Sequence, residues 1–260
     1  SGKSTTMASM LDHRNINRAG HILTVEDPIE YLFRHRKSVV NQREIGMDTS
    51  SWENALKNAM RQAPDCILIG EIRDRETMQA ALAYAQTGHL CLATLHANNA
   101  YHAMNRIINF FAIENRPLLF LDLSVSLKAI ISQRLVKKPD GMRTPAVEIL
   151  LNTRHIQELI ERGEINSIKE AMEQSMAPGS QTFEQDLFRL YRENVITLDE
   201  ALANADSPTN LSWLINNSQF GASSGQDNPK QVSNIDFDVA DENGASFTEF
   251  SLHMDDAVAS

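Results

Sequence analysis

Two uninterrupted apolar runs constrain the fold of this chain more than any other feature. Cys-Ile-Leu-Ile-Gly occupies residues 66–70, and Leu-Cys-Leu-Ala-Thr-Leu occupies residues 90–95. A run without polar alternation is typical of a strand that is buried on both faces, as in a parallel sheet. A helix predicted over residues 75–87 separates the runs, with Asp74 as its N-cap and Gly88 as its end. This order predicts an α/β fold with a parallel sheet flanked by helices.

The same alternation extends over most of the chain. Further predicted elements are helices over residues 4–14, 52–63 and 99–137, the last with a break near Pro117, strands over residues 22–25, 38–42 and 146–151, and about three helices over residues 153–205. We therefore expect an α/β core over residues 1–151 and a small helical part over residues 152–206. From residue 207 the composition changes to Ser, Asn, Gln, Gly and Asp, which predicts an acidic, disordered tail over residues 207–260.

The distribution of charge excludes some classes of protein. The net charge is -10, and residues 207–260 hold eight acidic residues and one lysine. The rest of the chain is nearly balanced, so it lacks the basic excess that is usual in nucleic-acid binders. Cys66 and Cys91 lie in the two apolar runs and are too few for a zinc site. They predict reduced core thiols in a cytoplasmic protein.

The beginning of the chain carries the first candidate for chemistry. Gly2, Lys3, Ser4 and Thr5 stand directly before the first predicted helix and match the end of a P-loop. Backbone N–H groups at a helix N-terminus bind phosphate oxygens, Lys3 would reach the phosphates, and Ser4 would hold Mg²⁺. Only the second half of the motif is present. By itself it is equally compatible with an ordinary capped helix start.

Acidic residues and histidines stand at the ends of the predicted strands. Glu71 directly follows the apolar run at residues 66–70, and three acids, Glu26, Asp27 and Glu30, stand at the end of the first strand. A carboxylate at such a position can order Mg²⁺ or orient an attacking water molecule. His89 precedes residues 90–95 and His96 follows them, where a histidine can contact a γ-phosphate. The alternatives are solvated acids at strand ends and hydrogen-bonded core histidines.

The order of these motifs resembles a known family. GKST, VEDPIE, ILIGEIRD and TGHLCLATLHANNA follow one another as do the Walker A motif, Asp box, Walker B motif and His box of the secretion ATPases of type II secretion and type IV pili. The resemblance extends to about Asp206. KNAMRQAPDCILIGEIRDRETM, GHLCLATLHANNA and RIINFF resemble the PilT/PilU group of pilus retraction ATPases, and especially the accessory PilU type. The absence of a CxxC pair also favours retraction over assembly ATPases.

The resemblance implies a RecA-like P-loop ATPase core that binds ATP and Mg²⁺. By matching motif positions it assigns phosphate binding to Gly2, Lys3, Ser4 and Thr5, magnesium to Ser4 and Glu71, and catalysis to Glu30, Glu71, His89 and His96. It also implies an N-terminal PAS-like domain, the rest of the P-loop and trans-acting arginines. These are expected to lie outside the present chain, so that the fragment alone is expected to be inactive.

The function implied is that of a homo-hexameric motor whose ATP hydrolysis drives pilus retraction and twitching motility. Its expected place is the cytoplasmic side of the inner membrane. Its expected partners are a platform protein in that membrane and a paralogous retraction ATPase, with no nucleic acid. Two alternatives remain: a non-hydrolysing regulatory subunit of the pilus machine, and a RecA-like nucleic-acid translocase. The translocase is disfavoured by the charge balance and by an aromatic content of 6%.

Overall fold

The structure, a computed structural model, describes residues 2–220. Its helices are α1 (Lys3–Asn17), α2 (Trp52–Met60), α3 (Arg75–Gln86), α4 (Ala100–Asn109), α5 (Arg116–Ser126), α6 (Arg154–Glu161), α7 (Ile168–Glu173), α8 (Phe183–Arg192), α9 (Leu198–Asn204) and α10 (Pro208–Phe220). Its strands are β1 (Gly20–Glu26), β2 (Ser38–Glu44), β3 (Cys66–Ile69), β4 (Leu90–Ala93), β5 (Ala129–Lys137) and β6 (Arg143–Leu151). Among the described helices, none combines the length and apolar character needed to cross a bilayer.

Four strands form a parallel sheet in the order β2-β1-β3-β4. The register places Ile22 beside both Val40 and Cys66, and Ile67 beside Cys91. Helix α2 connects β2 to β3 and helix α3 connects β3 to β4. Because the strands are parallel, their carboxyl ends lie along one edge of the sheet, where ligands bind in folds of this class. The predicted α/β fold with a parallel sheet is confirmed.

Alternate residues of the central strands pack on opposite faces of this sheet. Ile22 and Cys66 pack on one face with Leu11 of α1. Leu23 and Ile67 belong to the larger apolar cluster on the other face, which includes residues of α2, α3 and α4. Because helices cover both faces, β3 is apolar and buried at every position, which is why its sequence reads as a continuous run.

The strand β4 lies at the end of the described sheet and is less buried than its sequence predicts. Leu90 is 41% exposed, and Cys91 is half-buried. Cys66 on β3 is fully buried, and both cysteines are free. Burial raises the pKa of Cys66 to about 11 and that of Cys91 to about 12. Both thiols are therefore protonated at neutral pH and serve as packing groups, as predicted.

A second, two-stranded sheet contradicts two predictions. Strands β5 and β6 pair antiparallel, with Ile130 opposite Leu150, and stand apart from the parallel sheet. Residues 129–137 were expected to be helical and residues 146–151 to join the parallel sheet, and both expectations are wrong. The turn at residues 138–142 is too short for a parallel crossover, so β6 must return beside β5 in the opposite direction.

Four helices, α6 to α9, follow β6, in the region where about three were predicted. The predicted breaks are real. Gly163 ends α6 at φ 72°, and Gly179 lies between α7 and α8 at φ 85°. These are left-handed conformations that favour glycine. Phe183 and Leu187 of α8 pack with Val136 of β5 in a separate apolar cluster.

The expected beginning of the disordered tail, residue 207, is wrong. Helix α10 begins at Pro208, and Leu211 and Ile215 on it are 0% and 7% exposed in the same cluster as α8 and α9. These two residues lie one helical turn apart on one face, which is enough to bury a short helix. The abundance of Ser and Asn around them conceals this pattern. The rest of the predicted tail, residues 221–260, lies outside the described residues.

Candidate functional site

The N-terminus of α1 is built to receive an anion. Gly2 precedes the helix in a left-handed conformation at φ 77°, and no side chain caps the first turn, which holds no acidic residue. The first backbone N–H groups of the helix therefore have no acceptor within it. A Cβ atom on Gly2 would lie 2.8 Å from Nε2 of Gln133. The φ angle favours glycine at the position, and any larger residue would also displace the Gln133 amide.

A cleft of about 170 Å³ lies between the start of α1 and the carboxyl edge of the sheet. Of the residues predicted from the sequence, Lys3, Ser4, Glu30, Glu71 and His96 line it. They come from α1, the loop after β1, and the segments after β3 and β4. The parallel arrangement of the strands brings these distant motifs to one place, as the motif order predicted.

Thr5 does not line the cleft. Its hydroxyl lies 2.9 Å from the hydroxyl of Tyr31, which stands in the loop after β1. Thr6, the next residue of α1, donates to Oε1 of Gln133 on β5 at 2.7 Å. The start of α1 is thereby attached on one side to the loop that carries Glu30 and on the other side to the second sheet.

Glu71 is held in the ionised state by cationic and imidazole neighbours. Arg73 hydrogen-bonds to Oε1 of Glu71 and also bonds to Asp27 at 3.2 Å. Nε2 of His96 lies 3.0 Å from Oε2. The hydrogen bond from Arg73 is the largest cause that lowers the pKa of Glu71, and His96 acts in the same direction. A carboxylate with a lowered pKa is suited to binding a cation and is a weak proton acceptor.

His96 links this carboxylate to the P-loop lysine. Nζ of Lys3 donates to the carbonyl oxygen of Leu95 at 3.1 Å and lies 3.4 Å from Nδ1 of His96. The neutral tautomer with its proton on Nε2 satisfies both contacts, because Lys3 then donates to Nδ1 and Nε2 donates to Glu71. The result is a chain of polar contacts from α1 through the end of β4 to the end of β3.

Glu30 differs from the other cleft residues because its carboxylate is unpaired. It stands in the irregular segment between β1 and β2, and its side chain is exposed while it lines the cleft. Among the residues that the structure describes, none forms a hydrogen bond or ion pair with it. An unpaired carboxylate beside the N-terminus of α1 is available as a proton acceptor.

The structure does not bring His89 to this cleft. His89 precedes β4, so the strand carries it to the opposite edge of the sheet from His96. Its Nδ1 lies 2.9 Å from the Thr87 hydroxyl and 3.3 Å from the Tyr84 carbonyl oxygen. Its ring also makes an edge contact with the ring of Tyr84. His89 is the hydrogen-bonded structural histidine that was weighed as the alternative.

Sequence reasoning missed two residues that shape the cleft. Arg73 follows Glu71 by two positions in the same motif, and that spacing could have revealed it. Thr94 donates from its hydroxyl to the carbonyl oxygen of Gly70, which ties the ends of β4 and β3 together. A Cβ atom on Gly70 would lie 3.1 Å from the carbonyl oxygen of Val25. The absence of a side chain there lets the strand ends approach closely.

Comparison with known proteins agrees with this geometry. Residues 1–144 match the family described as "Type II/IV secretion system protein". This chain belongs to that family. The match covers more than half of the chain and includes every residue of the cleft.

Two curated relatives come from Pseudomonas aeruginosa. The chain is 53% identical to "Type IV pilus ATPase PilU" over 215 residues, which are 82% of this chain and 56% of the relative. It is 41% identical to "Type IV pilus retractation ATPase PilT" over 211 residues, which are 81% of this chain and 61% of the relative. The chain therefore spans little more than half the length of these relatives.

A solved structure gives the same result for the fold. It is described as the pilus retraction motor PilT with bound ADP. It superimposes with a TM-score of 0.76 at 43% sequence identity, covering 82% of this chain and 60% of the other. Helix α1, the parallel sheet and the helices that follow thus belong to the fold of a pilus motor ATPase.

Proposed function

We propose that this chain is the motor part of a Mg²⁺-dependent ATPase that powers type IV pilus retraction, as an accessory subunit of the PilU type. The observation that carries the proposal is the convergence of Lys3, Glu71, His96 and Glu30 on one cleft at the N-terminus of α1. The kinship with PilU and PilT supplies the process that this chemistry serves.

The residues present fit a nucleoside triphosphate with its cation. The uncapped N–H groups of α1 and the ammonium of Lys3 are ligands for phosphate oxygens. The Ser4 hydroxyl and the Glu71 carboxylate are the oxygen ligands that Mg²⁺ prefers. ATP supplies the phosphoanhydride bond, and Mg²⁺ neutralises charge on its phosphate oxygens.

The two carboxylates take different roles. Glu71 is kept ionised by Arg73 and His96, so it holds the cation and its water molecules. Glu30 is unpaired and accepts the proton of the water molecule that attacks the γ-phosphorus. His96 contacts both Lys3 and Glu71. It can therefore transmit the loss of the γ-phosphate to the end of β4.

The assembly that we propose is a homo-hexamer in which the cleft is completed by a neighbouring subunit. A closed ring needs a heterologous interface, in which different surfaces of successive copies meet. The ring would lie at the cytoplasmic face of the inner membrane, against a platform protein, beside a paralogous retraction ATPase. Light scattering of the full-length protein with and without ATP measures the assembly. Complementation of a strain without twitching motility measures the cellular role.

The decisive experiment on the chemistry is the Glu30→Gln substitution in the full-length protein. We expect ATP affinity to change less than about twofold and turnover to fall about 100-fold or more, because an amide cannot take the proton. Glu71→Gln should also lose turnover, but with an increased Mg²⁺ requirement. Glu161→Gln, at an exposed position of α6, is the matched control. Parental turnover in Glu30→Gln would show that the proton acceptor is another group. A parent protein that does not hydrolyse ATP would favour the non-hydrolysing alternative.

A further inference from the structure

The segment that carries Glu30 has no regular structure of its own. Residues 27–37 connect the carboxyl end of β1 to the amino end of β2 without a helix or strand. A general base must nevertheless be held in place, because a displacement of about 1 Å can reduce turnover about 100-fold. Glu30 has no side-chain partner among the described residues. Its position therefore depends on what holds the backbone on either side of it.

Two side chains of β2 hold that backbone. Oε2 of Glu44 accepts a hydrogen bond from the backbone N–H of Ile29 at 3.0 Å. Nε2 of Gln42 donates to the carbonyl oxygen of Tyr31 at 2.8 Å, and its Oε1 accepts from the N–H of Phe33 at 2.9 Å. One of these bonds is made immediately before Glu30 and another immediately after it.

The geometry of β2 explains why these two residues act together. Gln42 and Glu44 are two positions apart, so their side chains lie on the same face of the strand. The parallel register places them beside Thr24 and Glu26 of β1. The carboxylate of Glu26 accepts from the Thr24 hydroxyl at 2.6 Å and from Nε2 of Gln42 at 3.3 Å. The orientation of the Gln42 amide is thereby set from both sides.

The far end of the segment is held separately, by α1. The buried side chain of Asn15 donates to the carbonyl oxygen of Arg34 at 2.7 Å and accepts from the N–H of Arg36 at 3.2 Å. Loss of the β2 contacts therefore loosens the backbone around Glu30, where the Tyr31 hydroxyl still contacts Thr5, and leaves the far end of the segment anchored. This makes the two sets of contacts separable by substitution.

We propose that Gln42 and Glu44 are positioning residues that place Glu30 for catalysis through the backbone of residues 29–33. This inference rests on the proposed role of Glu30 as proton acceptor. Neither side chain contacts α1, the helix that is proposed to bind the phosphates. Their removal should lower turnover and leave ATP affinity nearly unchanged.

The test compares Gln42→Ala, Glu44→Ala and the double variant in the full-length protein. We expect each single variant to lower kcat about 10-fold and the pair about 100-fold, with KM for ATP within about twofold of the parent. Glu44→Gln keeps an acceptor oxygen for the Ile29 N–H and should retain most of the parental rate. Asn41→Ala is the matched control, because Asn41 precedes Gln42 on β2, lies on the other face of the strand and contacts His21.

A double-mutant cycle separates positioning from a general structural role. In a Glu30→Gln background, Gln42→Ala and Glu44→Ala should cause no further loss of the residual rate, because they act only through Glu30. Hydrogen exchange at the Ile29 amide should accelerate about 10-fold or more in Glu44→Ala and not in Asn41→Ala. If the double variant fails to fold, the single variants decide the question.

The outcomes that overturn the inference are distinct from those that overturn the proposed function. Parental turnover in Glu30→Gln would show that Glu30 is not the proton acceptor. Gln42 and Glu44 would then have no role in catalysis through it. Loss of turnover in Glu30→Gln together with parental kcat in Gln42→Ala and Glu44→Ala leaves the function intact and overturns the positioning role. A further loss of rate in the Glu30→Gln background also overturns it.

Discussion

The cleft and a second polar group of the molecule contain the same kinds of charged side chains. They differ in how far those side chains are exposed to solvent and paired. The second group, the polar junction, consists of Asn99, Arg134, Glu148, Glu184 and Asp206. It is drawn from the start of α4, from β5, β6 and α8, and from the segment after α9. The junction connects the helices that follow the parallel sheet to the second sheet and to the C-terminal helices.

In the polar junction, Arg134 and Asp206 are shielded from solvent and paired with each other. Arg134 forms an ion pair with Asp206, with side chains only 21% and 19% exposed. The Arg134 guanidinium also lies 4.0 Å from the centre of the Phe183 ring. Asn99 donates to Asp206 at 2.8 Å. Burial alone would raise the pKa of Asp206, but hydrogen bonds from Asn99 and Arg134 hold it below its usual range.

In the cleft, His96 and Glu30 are open to solvent, whereas the paired side chain of Glu71 is only 18% exposed. The His96 side chain is 67% exposed, and the Glu30 carboxylate has no partner among the described residues. Exposed pairs contribute little to stability, whereas shielded pairs are costly to break because one charge remains buried. The difference separates the two regions by function. Removal of a cleft group should cost turnover, and removal of a junction group should cost stability.

The largest expected effect is at Lys3, and it tests the distinction between the two regions. Lys3→Ala should lower ATP turnover about 1000-fold, roughly 4 kcal/mol of transition-state stabilisation, because the phosphates lose their cationic ligand. The melting temperature of the full-length variant should stay within about 2 °C of the parent. Lys57→Ala, on the exposed face of α2, is the control. A large fall in stability for Lys3→Ala would place it with the junction residues.

The next effect concerns the packing behind the junction. Leu211→Ala on α10 should reduce the free energy of unfolding by about 3 kcal/mol, because Leu211 is completely buried. Trp213→Ala is the matched control on the same helix, since Trp213 is 65% exposed and should cost less than about 0.5 kcal/mol. Denaturant unfolding measures both. Equal small changes in the two variants would restore the prediction that the tail begins before α10.

A smaller loss is expected at the shielded ion pair. Arg134→Ala should reduce the free energy of unfolding by about 2 kcal/mol, because Asp206 keeps its charge and loses its cation. Arg154→Ala is the comparison, since Arg154 pairs with Glu158 with its side chain 88% exposed and should change stability by less than about 0.5 kcal/mol. If the two variants are equally stable, shielding does not distinguish the junction from the surface.

The smallest expected effect is a pH dependence of stability that arises from Glu148 in the polar junction. Burial raises the pKa of Glu148, and the nearby carboxylates of Asp206 and Glu184 act in the same direction. The folded state therefore binds this proton more tightly than the unfolded state. The stabilisation is fully present below the unfolded pKa of about 4.3 and is lost as the pH rises through the folded pKa.

Glu148→Gln should therefore be more stable than the parent near neutral pH, by up to about 1 kcal/mol. The amide oxygen can still accept the hydrogen bond that the N–H of Ala100 makes to Glu148 at 2.6 Å. The stability advantage of Glu148→Gln should shrink toward pH 4, where residue 148 is neutral in both the parent and the variant. Unfolding curves between pH 4 and pH 8 measure it. An advantage that grows as the pH falls would reverse the sign of the argument.

Much of the parallel core could be predicted because its signals are local. The apolar runs at residues 66–70 and 90–95 show where the central strands lie, and Asp74 caps α3 through the N–H of Thr77 as expected. The motif order also places Lys3 and Glu71 in one cleft, since the carboxyl ends of parallel strands meet at one edge. The prediction of a helix over residues 129–137 failed because a strand in a two-stranded sheet depends on its partner more than on its own sequence.

The sequence by itself determined the type of fold, the family of motifs and the carboxylates and lysine of the site. Each of these follows from residues that are close together in the chain. Only the tertiary structure decided that His89 lies away from the site, that Arg73 keeps Glu71 ionised, and that β2 holds the segment around Glu30. The bonds that hold the segment around Glu30 join residues 9 to 15 positions apart in the chain. His89 and His96 lie at opposite edges of the sheet because they stand at opposite ends of β4. Both features depend on strand direction and register, which no local pattern records.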